Sequence, residues 1–111
     1  MAKFFTFADR FCKIQFFEED PIVVTLFLGD ETDKRIMDSG ALIEKADKQK
    51  DLEQRTKLYR QALELLIGEE KTEAILARAD TADSFSILAV WNYILQVIRE
   101  QKVKNLVASG R

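Results

Sequence analysis

Apolar residues recur at helical spacing most clearly near the C-terminal end of the chain. Over 84–105, Ile87, Leu88, Trp91, Ile94, Leu95 and Ile98 fall at the i, i+3, i+4, i+7 positions of one face. Asp83 or Ser84 stands ahead of them as an N-cap, and no Gly or Pro follows before Gly110. Val90, Tyr93 and Val97 form a second apolar stripe, which leaves Asn92, Gln96, Arg99 and Glu100 as a narrow polar strip. A helix apolar around most of its circumference is buried on most of it, so this element reads as a long central helix near the C-terminus. Trp91, in the middle of the widest apolar face, is expected to be largely buried against Leu58, Leu65 and the sheet. The tail loses its periodicity beyond Gln101, and fraying is expected after Leu106.

The pattern over 3–28 has a different period. Three short aromatic and β-branched runs, FFTF, RFCKIQFF and PIVVTLFL, are separated by Ala8-Asp9 and by Glu18-Glu19-Asp20-Pro21. Cys12, Ile14 and Phe16 share one parity while Lys13 and Gln15 take the other, as in a half-buried strand. Almost nothing in 22–28 is polar, so that strand is expected to be covered on both faces, and the acidic stretch ending in Pro21 makes the hairpin connection. Phe4, Phe7, Phe11 and Ile14 also fit helical spacing; the concentration of phenylalanine favours strands.

Between these two regions the charge density rises and three further helices are predicted. The first, about 31–48, can be capped by Asp30 or Thr32, places Ile36, Met37, Ile43 and Ala46 inward, and has a weak point at Asp38-Ser39-Gly40. Its mixed charges make a solvent-facing surface with pairs such as Glu44 and Lys48. The second, 52–67, puts Leu58, Tyr59, Ala62, Leu65 and Leu66 on one face and ends at Gly68, where a terminating glycine belongs. The third, about 70–79, turns Ile75 and Leu76 inward, with acidic residues in its first turn and Arg78 in its last. The fold class is α+β: a small N-terminal antiparallel hairpin or three-stranded meander, then three to four helices, within a single domain spanning 1–111.

Composition narrows the function. With 111 residues, 47% of them hydrophobic, the chain builds one modest core. Its 17 basic and 19 acidic residues leave a net charge of -2, which argues against a nucleic-acid surface. A lone cysteine, Cys12, forms no internal disulfide and suits a reducing compartment. The N-terminal MAKFFTF lacks the apolar stretch and cleavage site of a signal peptide, and no apolar run approaches the ~20 residues of a membrane span. A cytoplasmic protein without membrane association is expected.

Reactive chemistry is sparse. The chain has no histidine, the commonest general base and metal ligand, and one cysteine cannot build a zinc site. Cys12 sits in an apolar strand pattern without a candidate base and reads as core. Gly29, Gly40, Gly68 and Gly110 are scattered and make no phosphate loop. Asp30, Glu31 and Asp33 cluster, but helix capping and the helix dipole account for them without a metal. No enzyme, cofactor or metal is expected; the work falls to surfaces.

The segment LYRQALELLIGEEKTEAILARAD, followed after a polar link by a long apolar helix, resembles the tail assembly chaperones of long-tailed bacteriophages and prophages. The matching residues are Ala62, Leu65, Leu66, Gly68, Glu69, Ile75 and the run from Trp91 to Ile98. The resemblance implies a hairpin, a charged helix, a helix ending in Leu-Leu-Gly-Glu (here Leu65-Leu66-Ile67-Gly68-Glu69), a short helix and a long one. It also implies a non-enzymatic chaperone in the bacterial cytoplasm that binds the tape measure protein and recruits tail tube protein around it. A helical partner needs an apolar strip, and Val90, Tyr93 and Val97 are the candidate partner-binding residues; the same stripe serves a homo-oligomer. Two alternatives stay open: a homo-oligomeric structural or adaptor protein of a phage particle, and a nucleic-acid-associated regulatory protein.

Overall fold

The hairpin comes first and shows strand parity directly. In the computed structural model, which describes residues 10–79 and 83–108, β1 (Phe11–Phe16) and β2 (Ile22–Phe27) pair antiparallel from Phe11 with Phe27 to Phe16 with Ile22. Cys12, Ile14 and Phe16 point into the core from β1, and Val24 and Leu26 join them from β2. β2 was expected to be covered on both faces, and it is not: Val23, Thr25 and Phe27 are exposed. The described hairpin lays one face on the helices, and among the described residues no second layer covers the other. The expected run at 3–7 lies outside the described residues. In the connection Phe17 and Asp20 both take positive φ, 72° and 49°, a conformation that costs a non-glycine residue energy. Arg78 holds this loop from across the fold. Its guanidinium donates to the Glu19 and Asp20 carbonyls and lies 4.7 Å from the centre of the Phe17 ring.

Four helices follow: α1 (Asp30–Asp47), α2 (Leu52–Ile67), α3 (Glu69–Arg78) and α4 (Ser84–Ala108). The α1 N-cap is Gly29, without a side-chain cap; Thr32 Oγ1 instead donates back to the Phe27 carbonyl at 2.5 Å. Asp30, Glu31 and Asp33 lie in the first turn, where carboxylates oppose the helix dipole. The expected weak point at 38–40 is continuous helix. Ser39 there is fully buried, and its hydroxyl donates to the Ile36 carbonyl at 2.9 Å. Asp51 caps α2 through the Glu53 N–H, and Arg55 donates to the Gln49 carbonyl, closing the α1–α2 turn.

α2 ends at Gly68, whose φ of 93° belongs to glycine, and the same residue starts α3: its carbonyl accepts the N–H and the hydroxyl of Thr72. Asp83 caps α4 by accepting the Ser86 N–H at 2.8 Å. α4 reaches Ala108, two residues beyond Leu106.

The helices share the centre of the packing. α2 lies against α1, α3 and α4, while α4 lies against α2 and β1. The buried face of α2 is Tyr59, Ala62, Leu63 and Leu66. Leu63 was not among the expected inward positions, and Leu65, which was, is 40% exposed. At 100° per residue Leu58 and Leu65 sit together on the margin of that face, about 100° from its centre. Trp91 also departs from expectation. It is half-buried rather than buried, and it faces α1, its indole N–H donating to Ser39 Oγ at 3.0 Å. Ile87, Ile94 and Ile98 form the fully buried line of α4.

Candidate interaction surface

Cys12, Tyr59, Glu31 and Asp33 are each buried or engaged. Cys12 is 1% exposed, and burial pushes its thiol above the usual range, which suppresses the nucleophilic thiolate. Tyr59 is buried with its hydroxyl donating to Asp47 Oδ1; that hydrogen bond, then burial, raises its pKa. Glu31 pairs with Arg35 at 2.7 Å and Asp33 with Lys102 at 2.7 Å. Among the described residues no group of three or more His, Cys, Asp or Glu side chains gathers to hold a metal ion. No helix among them is long and apolar enough to cross a membrane.

The second stripe of α4 lies beside the hairpin. Tyr93 packs edge-on against Phe16, ring centres 5.4 Å apart, and its hydroxyl donates to the Gln15 carbonyl at 3.0 Å. Val90 and Val97 are half-buried against the core. The stripe was expected to point away from the core; instead Val90 and Val97 pack against the core and Tyr93 meets β1, while Trp91 meets α1. Tyr93 alone of the three is exposed, at 41%. Beyond it, Gln96, Glu100, Val103 and Val107 continue an exposed ridge along the same side of α4, with Val103 at 54% and Val107 at 66%.

A second open surface is the outer edge of β2. The Leu28 N–H bonds the Arg10 carbonyl at 2.6 Å, which makes even-numbered residues the ones that pair across the hairpin. Odd-numbered residues therefore turn their backbone groups outward. Two of these outward groups are met: the Gln15 carbonyl on β1 takes Tyr93, and the Phe27 carbonyl at the end of β2 takes Thr32. Among the described residues no group pairs with the outward N–H and C=O of Val23 and Thr25. Beside them runs a hollow of about 480 Å³ lined by Thr25, Arg35, Glu64, Leu65, Ile67 and Lys71. The sequence signal for this edge was present in IVVTLF, which carries no charge, Gly or Pro; the expectation of two covered faces hid it. No family model, curated protein or solved structure matches the chain.

Proposed function

We propose that the protein is a non-enzymatic assembly chaperone of the phage tail type. In this reading it binds the tape measure protein in the host cytoplasm, keeps it soluble and aids assembly of the tail tube. The element order is the one the resemblance implies: a hairpin, a charged helix, a helix closing at Gly68, a short helix and a long one. The observation that carries the reading is the ridge of α4. Tyr93, Val103 and Val107 stand exposed along one side of the longest helix, separated by charged and amide side chains. An amphipathic helix of a filamentous partner docks on such a ridge through anchors spaced every three or four residues, and the flanking charges keep the unbound protein soluble. Within this reading the site residues shift from the whole Val90, Tyr93, Val97 stripe to its exposed member and the ridge beyond.

The test is co-purification with a co-expressed long helical protein of the tape measure type. Val103→Glu with Val107→Glu keeps the buried line Ile87, Ile94 and Ile98 intact, so helical content is retained while partner capture falls at least tenfold. Undiminished capture by the folded variant would remove the ridge from the site. The alternative reading, a structural or adaptor protein of the particle, is favoured by the open edge of β2, and presence of the chain in mature particles would select it.

A further inference from the structure

We propose that two copies of this chain join through the outer edges of their β2 strands, forming one continuous four-stranded antiparallel sheet. The inference is independent of the chaperone reading.

A strand edge with free, aligned donors and acceptors is a template for another strand. β2 presents such a stretch at Val23 and Thr25, whose backbone groups face outward without a partner among the described residues. The usual protections are missing along it. IVVTLF has no lysine, proline or other charge, and β2 pairs with β1 residue for residue without a bulge.

A second β2 is the occupant that satisfies the geometry with no further assumption. A two-fold axis through Val24 sets Val23 opposite Thr25 of the other copy, and Thr25 opposite its Val23. Each of these is then a pair exchanging both N–H···O bonds, with Val24 facing its own counterpart between them. The alternation of faces is preserved across the junction. Val24 and Leu26, buried in each copy, extend the same core-side face, and Val23 and Thr25 share the outer one.

The surroundings are also self-complementary. Val23 and Leu65, each 40% exposed, and the half-buried Ile67 lie at this edge and would lose water on pairing. The hollow beside the strand carries both signs, with Arg35 and Lys71 against Glu64. A surface meeting its own rotated copy needs that mixture; a single-sign rim would repel itself.

The test combines mass and amide exchange. Light scattering after gel filtration at about 100 µM should give twice the 12.8 kDa of one chain, and Val23→Lys with Thr25→Lys should return it to one chain with unchanged circular dichroism. Both substituted side chains point away from the core, so the fold is retained. In the wild-type protein, the Val23 and Thr25 amides should exchange at least tenfold more slowly at high than at low concentration, a readout that needs no variant. A monomer at 100 µM overturns the proposal. So does a dimer in which those two amides exchange freely, since it would be built on another face.

Discussion

The bond between Trp91 and Ser39 joins two elements that the sequence alone does not connect, and Ser39→Ala measures its worth. Ser39 is fully buried and accepts the Trp91 indole N–H at 3.0 Å. Replacing it with alanine leaves that donor without an acceptor, a loss of about 1–3 kcal/mol. Trp91 is half-buried, so water reaches part of the indole and the lower half of that range applies. The Ile36 carbonyl also loses the serine hydroxyl, but it keeps the capacity for its backbone helical bond. Alanine returns roughly 0.5 kcal/mol through helix propensity. The net cost is therefore about 1 kcal/mol, or about 4 °C in Tm for a chain of this size. Urea unfolding of wild type, Ser39→Ala, Trp91→Phe and the double variant completes a cycle. Once Trp91→Phe has removed the donor, Ser39→Ala should be neutral or stabilising by up to about 0.5 kcal/mol. An equal cost in both backgrounds would refute the reasoning, because the serine would then matter through packing alone.

Two glycines should respond to the same substitution with opposite sign. Gly40→Ala, inside α1 with nothing within 4 Å of the added methyl, should stabilise by about 0.5–1 kcal/mol. Gly68→Ala also meets nothing within 4 Å, yet its φ of 93° should make the change cost about 1–3 kcal/mol in urea melts. Tyr59 predicts an alkaline effect: its pKa is raised on folding by the bond to Asp47 and then by burial, so its stabilisation is complete below about pH 10 and is lost as pH rises beyond. Tyr59→Phe should therefore flatten the fall in stability above pH 10, and superimposed pH profiles for the two proteins would contradict the assignment.

How much was legible depended on whether a feature was local. The parity of Cys12, Ile14 and Phe16, the cap at Asp83 and the stop at Gly68 are set by neighbours in sequence, and the structure places each as the pattern predicts. Which flank of an all-round apolar helix meets which neighbour is decided by other elements. Periodicity therefore marked Val90, Tyr93 and Val97 as apolar but could not assign Tyr93 to β1 or Val90 and Val97 to the core, nor Trp91 to Ser39 on α1. Serine and glycine at 39–40 signal a weak helix locally, whereas burial turns Ser39 into an acceptor for a tryptophan 52 residues away. Arg78 shows the same limit: it reads as a favourable charge at the end of α3, and the fold uses it to hold the loop at Phe17 and Asp20. β2 looked like an interior strand because composition cannot tell a covered face from an exposed one.

The assembly-chaperone account is tested most directly by the solubility of its partner. A long helical protein of the tape measure type, the partner in the proposed reading, should be expressed alone, with the wild-type chain, and with the Val103→Glu, Val107→Glu variant. The account predicts that the partner is aggregated alone, soluble and co-eluting with the wild-type chain, and aggregated again with the variant although the variant itself stays folded. A partner equally soluble in all three, or rescued as well by the variant as by wild type, would contradict it.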